Sequence, residues 1–136
     1  MRDPLFRMAL ILGLLSAVGP FAIDMYLPAL PQVAADLGTD EAGAALTLTA
    51  YFLTFGIAQM IWGPMADAWG RKRPLLIGVS IFLAASVLAA MAPDITTLIA
   101  ARALQALGAA TLMAVPRAVI RDMASGPEAA RMMAAI

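Results

Sequence analysis

Four long apolar runs constrain the fold of this chain more than any other feature of its sequence. They cover residues of about 6–30, 44–65, 74–92 and 95–118, and each is long enough to cross roughly 30 Å of hydrocarbon as a helix. Hydrophobic residues make up 62% of the 136 residues, and charged residues only 13%. A soluble domain of this size cannot bury so much apolar surface, so lipid must solvate part of it. The sequence therefore predicts an all-α polytopic membrane protein.

Both ends of the chain bear on this prediction. A cleaved signal peptide is disfavoured because the first run is too long, and Pro28 and Pro31 follow it in place of a cleavage site. Near the other end, a breaker cluster at 125–127 precedes a helical pattern that begins near Glu128 and reaches Ile136. We therefore expect residues 1–136 to form four membrane-spanning helices and the start of a fifth, cut off inside that helix.

The charges between the runs are distributed unequally. Eight of the nine basic residues fall in segments that four crossings place on one side of the membrane: Arg2, Arg7, Arg71, Lys72, Arg73, Arg117, Arg121 and Arg131. In the connections on the other side, all the charged residues are acidic. Because basic residues favour the cytoplasmic side, this pattern predicts a multi-pass protein of the cytoplasmic (inner) membrane with its N-terminus in the cytoplasm.

Composition also excludes several classes of function. The chain has no Cys and no His, which excludes disulfides, zinc–thiolate sites, cysteine nucleophiles and a Ser-His-Asp triad. Its net charge is zero and it has no polybasic block, so nucleic acid is not an expected partner. We expect neither an enzyme nor a bound cofactor or metal.

Two charged residues inside the apolar runs are the main functional candidates. Asp24 lies about six residues, or roughly 9 Å, below the outer end of the first run, and Arg102 has a similar depth in the fourth. Around Asp24, helical spacing places Gly13, Ser16, Ala17 and Pro20 on a face that suits a cavity or a close helix contact. Arg102 needs a carboxylate, a cluster of carbonyls or water as its partner, and Asp24 is the one carboxylate at that depth, so the two charges are predicted to pair. Either residue can instead extend its side chain to the membrane surface in a structural role.

The middle runs differ in polarity. Thr47, Tyr51 and Thr54 form a polar stripe at helical spacing in the second run, which fits either a wet cavity or ordinary contacts between helices. In the third run Ser80 and Ser86 are the only polar side chains, so this helix is expected to face lipid.

The connection at 63–74 concentrates glycine and charge. Asp67 ends one helix and Arg71 begins the next, with Gly70 allowing a sharp reversal between them. Asp122 ends the fourth run on the same side of the membrane. The sequence predicts that Asp67, Arg71 and Asp122 lie together, although solvated surface charges are the simpler interpretation.

These motifs resemble the major facilitator superfamily. Its cytoplasmic loop pattern, G-x-L-a-D-r-x-G-r-k, is matched by Gly63, Asp67, Gly70, Arg71 and Lys72. The fourth-helix pattern R-x-x-Q-G-x-g-a-a is matched by Arg102, Gln105 and Gly108. Residues 24–31 look like the end of the first helix in the bicyclomycin/chloramphenicol-resistance group of drug:proton antiporters.

The resemblance implies a twelve-helix transporter, of which this chain supplies the first helices. It implies proton-driven export of a lipophilic drug-like compound, with the lipid bilayer, protons and the remaining C-terminal helices as partners. Asp24 would carry the proton and Arg102 would tune it. Substrate-cavity residues would be Tyr26, Tyr51, Thr54 and Gln105. The cytoplasmic gate would comprise Gly63, Asp67, Gly70, Arg71, Lys72 and Asp122.

Two other readings stay open at this point. One is a self-contained four-helix multidrug exporter that acts as a dimer. Exporters of that kind rely on a glutamate early in their first helix and lack the 63–74 loop. The other is a tetraspan assembly or interaction subunit with no transport activity. Further apolar spans in the downstream coding sequence would favour the first interpretation over both.

Overall fold

A computed structural model of the protein describes residues 4–123, which form four long helices and a short one. The helices are α1 (Pro4–Asp24), α2 (Leu30–Asp36), α3 (Glu41–Trp69), α4 (Lys72–Ala90) and α5 (Ile95–Met123), with a 3₁₀ turn at Leu27–Ala29. No strand occurs in this range. Four segments are long and apolar enough to cross a membrane, which confirms the all-α polytopic prediction. The fifth helix expected near Glu128 lies outside the described residues.

The first predicted span is not one continuous helix. It ends at Asp24, and the chain continues through the 3₁₀ turn into α2. Pro28 and Pro31 have no N–H to donate to the carbonyls four residues earlier, at Asp24 and Leu27, so the α-helical ladder stops there. The helix α1 therefore ends before the boundary predicted at about residue 30, and part of the expected outer connection is helical.

Acidic residues of the α2–α3 and α4–α5 connections begin the helices that follow them. Asp40 Oδ1 accepts a hydrogen bond from the Gly43 N–H at 2.7 Å, and Asp94 Oδ1 accepts one from the Thr97 N–H at 2.8 Å. These N-caps start α3 and α5. At its C-terminal end, α3 stops before Gly70, whose φ of +79° is a conformation that other residues rarely adopt.

Helix α5 is the centre of the assembly. Thirteen of its 29 residues are buried, against three of 19 in α4. It packs against α1, α3 and α4, and many of its buried residues are small, as befits close approach between membrane helices. At Gly108 the contact is closest, because a Cβ there would lie 2.5 Å from the Gly78 carbonyl oxygen and 2.6 Å from the Phe82 nitrogen.

Gly108→Ala is expected to destabilise the protein. The added methyl group meets α4 backbone, which cannot move aside without separating the helices, so we expect a loss of about 1–3 kcal/mol. The control is Gly56→Ala, because Gly56 has nothing within 4 Å of its Cβ position. That change should be neutral or stabilising by up to about 1 kcal/mol. Thermal unfolding in detergent measures both, and equal midpoints would contradict the close α4–α5 contact.

Candidate functional site

Arg102 is buried near the N-terminal end of α5 and contacts α1, α3 and the segment after α1. Its Nη1 and Nη2 each lie 3.4 Å from the Ala22 carbonyl oxygen, to which they donate. The guanidinium carbon lies 4.3 Å from the centre of the Tyr26 ring and 4.5 Å from that of Tyr51. Two aromatic faces and a carbonyl therefore replace water around the cation. We call Arg102, Ala22, Tyr26 and Tyr51 the arginine clamp.

A chain of side-chain hydrogen bonds extends the clamp to α4. Arg102 Nη1 donates to Gln105 Oε1 at 2.5 Å, and Gln105 Nε2 donates to Ser86 Oγ at 2.8 Å. Ser86 in turn donates to the Phe82 carbonyl at 2.7 Å. The expectation that this helix simply faces lipid is thus wrong at Ser86, because Gln105 requires a polar partner there.

The tyrosine hydroxyls fix the two rings of the clamp. Thr47 Oγ1 donates to the Ala44 carbonyl at 2.6 Å, so the 2.8 Å contact with Tyr26 is a hydrogen bond donated by the tyrosine. Tyr51, which is fully buried, donates to the Gly19 carbonyl at 3.4 Å. Of the predicted cavity residues, Tyr26, Tyr51 and Gln105 come together here. Thr54 is half-buried and takes part in none of these contacts.

The predicted ion pair between Asp24 and Arg102 is not formed. Within residues 4–123, no carboxylate oxygen lies within 4 Å of Arg102. The guanidinium is held between the tyrosine rings, and Asp24 lies about 200° around α1 from Ala22 at 100° per residue. Asp24 is exposed and faces elsewhere. Asp24 is two residues along α1 from the Ala22 carbonyl that Arg102 contacts, but it lies on another face of that helix.

Two cavities flank the end of α1. The first, of about 470 Å³, has Tyr26, Arg102 and Gln105 in its wall, and is lined also by Val33, Asp36, Leu37, Ala89, Ala90, Ala92 and Leu98. It connects the buried cation to the segment around α2. Its polar side chains are those of Tyr26 and Arg102 of the clamp, Gln105 and Asp36.

The second cavity is a groove of about 370 Å³ between α1 and α5, which we call the α1–α5 crevice. Its lining residues are Ser16, Ala17, Pro20, Phe21, Asp24, Met113 and Arg117. Of the face predicted around Asp24, Ser16, Ala17 and Pro20 line this crevice with it, whereas Gly13 does not. Asp24 therefore has access to a groove wide enough for water and small ligands.

A charged cluster joins the ends of α3, α4 and α5. Arg71 Nη1 lies 2.6 Å from Asp67 Oδ1, and its Nη2 and Nε each lie 2.8 Å from Asp122 Oδ2. Arg121 Nη2 is 3.9 Å from Asp67. Burial acts to lower the pKa of Arg71, but hydrogen bonds and the charges of Asp122 and Asp67 outweigh it and raise that pKa above its usual value. We call these four residues the Arg71 cluster.

The other residues of the predicted gate motif, Gly63, Gly70 and Lys72, lie outside the Arg71 cluster. Gly70 ends α3 with positive φ, and Lys72 is the exposed first residue of α4. Gly63 is half-buried inside α3, and no atom lies within 4 Å of its Cβ position. Of the two glycines in this motif, only Gly70 is thus required to be glycine by the backbone.

Sequence reasoning missed several partners of the site. Ser86 stood out only as an isolated hydroxyl in an apolar run, and the Ala22 carbonyl has no sequence signal at all. Trp62 donates from Nε1 to the Leu107 carbonyl at 2.9 Å, tying α3 to α5 below the clamp. A buried indole needs such an acceptor, but its identity depends on how the helices pack.

Comparison with known proteins places these features in a family. A family model described as Major Facilitator Superfamily matches residues 12–136. Multidrug resistance protein D of Escherichia coli (strain K12) is 38% identical over 117 residues, 86% of this chain and 30% of that protein. The Bicyclomycin resistance protein homolog of Haemophilus influenzae is 30% identical over 131 residues, 96% and 33% of the two chains. Citrate exporter 1 of Aspergillus niger is 36% identical over 128 residues, 93% and 24%. The chain spans a quarter to a third of these relatives.

Proposed function

Since this chain belongs to the major facilitator superfamily, we propose that it forms part of a transporter that exports lipophilic drug-like compounds in exchange for protons. Relatives named for multidrug and bicyclomycin resistance support the substrate class. The observation that carries proton coupling is Asp24, a carboxylate level with a buried arginine and open to the α1–α5 crevice. Because this chain spans only a quarter to a third of these relatives, we expect further helices of the same fold to complete the path.

In this proposal Asp24 takes up and releases the proton, and Arg102 acts on it through α1. Asp24 is the last residue of α1, where the negative end of the helix dipole disfavours a carboxylate. Arg102 counters that field by donating to the Ala22 carbonyl in the same turn. Arg102 stays charged at any ordinary pH, so it fixes the helix end while Asp24 changes charge. A cationic drug at Asp24 would then exclude the proton.

In this proposal the protein spans the inner membrane of a cell, with its N-terminus in the cytoplasm. The Arg71 cluster then lies at the cytoplasmic side and supports a latch there. Arg71 bridges Asp67 and Asp122 across two helix ends, so the cluster must open if these ends separate during transport. Each exposed ion pair contributes only about 0.2–1 kcal/mol, which suits a contact that forms and breaks in every cycle.

Asp67→Asn is expected to slow export several-fold while leaving membrane insertion intact. Arg71 keeps Asp122 in this variant, so Asp67→Asn combined with Asp122→Asn should have the larger effect. Initial rates of drug export from everted vesicles measure both, with Glu41→Gln as a charge-removing control on the opposite connection. Normal export by the double variant would contradict the latch.

The experiment that tests the proposed function uses the intact transporter in proteoliposomes with an imposed pH gradient. A fluorescent lipophilic cation should move against the proton gradient and should stop moving when an ionophore collapses it. Movement that is unaffected by the ionophore would contradict proton exchange.

A second candidate is export of an organic anion. Citrate exporter 1 is among the relatives, and Arg102 is a buried cation beside a cavity of about 470 Å³. Because the rings and amide already surround its guanidinium, we favour the drug substrate. Radiolabelled citrate in the same proteoliposomes separates the two, since only an anion exporter would transport it.

A further inference from the structure

We propose that the α1–α5 crevice binds an amphoteric ligand, with an amine at Asp24, an anionic group at Arg117 and an apolar body between them. The inference deepens the proposed function and rests on it for the fate of the ligand. It differs from a site for lipophilic cations because Arg117 becomes a second recognition element. Three independent features of the crevice support this site.

The first feature is the placement of the charges. Asp24 on α1 and Arg117 on α5 both line the crevice, and within residues 4–123 neither forms an ion pair. The helices are antiparallel, since Ala22 contacts Arg102 and Leu12 packs with Ile120. Arg117 is therefore level with about residue 15 of α1, some nine residues or roughly 13 Å of helix axis from Asp24. The opposite charges stand at the two ends of one groove.

The second feature is the apolar wall between these charges. Ala17, Pro20 and Phe21 of α1 face Met113 of α5 across the crevice. A methionine adapts its shape to different apolar groups, and a volume of about 370 Å³ lies in the range of small-molecule sites. A ligand in which a hydrocarbon segment joins an amine to a carboxylate would place the amine at Asp24, the hydrocarbon on the apolar wall and the carboxylate at Arg117.

The third feature is Ser16, near the Arg117 end of the groove. Its side chain is buried, and its Oγ has no hydrogen-bond partner among the described residues. Pro20 also lacks the N–H that would donate to the Ser16 carbonyl four residues earlier. Because buried polar groups are normally satisfied, this residue favours a ligand that brings a polar group of its own or a bound water.

The test measures binding to the purified intact transporter by calorimetry, without any gradient. The probes are ω-amino carboxylic acids of increasing chain length, each compared with the alkylamine and the alkanoate of equal length. One length should bind about tenfold or more tightly than both single-charge analogues, because it makes both charge-assisted contacts. Equal affinity of all three probes at every length would overturn the proposal.

Variants assign the two ends. Asp24→Asn should reduce the affinity of the amino acid to that of the alkanoate, and Arg117→Gln should reduce it to that of the alkylamine. Glu41→Gln and Arg73→Gln remove the same charges outside the crevice and should change nothing. A preference for the amino acid that survives both crevice variants would place the site elsewhere and overturn the assignment.

These results are separable from those for transport. Binding of the amino acid without proton exchange would contradict the proposed coupling and leave the site standing. Proton-driven export of drugs without a preference for amphoteric probes would overturn the site alone.

Discussion

Asp24→Asn is expected to abolish drug export driven by a pH gradient. The asparagine keeps the shape and polarity of the side chain at the end of α1, but it cannot take up and release a proton. In drug-sensitive cells the variant should confer no resistance, although it should reach the membrane in normal amounts. In proteoliposomes a pH gradient should no longer drive drug movement, a loss of at least about 100-fold if the carboxylate is the obligatory carrier.

Two controls separate coupling from folding. Asp24→Glu retains a titratable group at the same place and should retain part of the activity. Exchange of labelled for unlabelled drug without a gradient needs no net proton movement, so Asp24→Asn should still support it. Gradient-driven export at the wild-type rate by Asp24→Asn would assign the proton to another residue.

Arg102→Ala is expected to have the second large effect, on both stability and export. It removes two cation–aromatic contacts and the hydrogen bonds to Ala22 and Gln105, and leaves the Gln105 oxygen without its donor. Contacts of these kinds contribute about 0.5–2 and 1.5–3 kcal/mol each, so we expect a loss of about 3 kcal/mol or more. Thermal unfolding and export rate in the intact transporter measure the two effects.

The conservative variant Arg102→Lys distinguishes charge from geometry. An ammonium can lie against one ring, but it cannot reproduce the planar stacking between two rings together with bonds to Ala22 and Gln105. We therefore expect intermediate stability and strongly reduced export. The same stability and rate for wild type and Arg102→Ala would contradict the arginine clamp.

What the sequence predicts about this fold follows from local physics. The apolar runs correspond to helices because hydrocarbon requires the backbone to satisfy its own hydrogen bonds. The face of Ser16, Ala17 and Pro20 beside Asp24 follows from helical spacing. The proximity of Asp67, Arg71 and Asp122 follows from alternating crossings, which bring two helix ends and one loop to the same side.

The partners of Arg102 could not be predicted in this way. They depend on how α1 and α5 are rotated about their axes, and a difference of 200° separates the Ala22 and Asp24 directions. A backbone carbonyl as acceptor has no sequence signal, and an aromatic stripe does not reveal that its rings enclose a guanidinium. Likewise, the contact of Gly108 with α4 backbone depends on the separation of the helices. The spacing of residues along the chain does not predict that separation.

The central claim is that Asp24 exchanges a proton for drug, and proton release tests it most directly. The purified intact transporter is held in weakly buffered detergent solution near neutral pH, and the pH is followed as drug is added. The account predicts that drug releases protons from the wild type and from Glu41→Gln, and none from Asp24→Asn. Equal release from wild type and Asp24→Asn would contradict it.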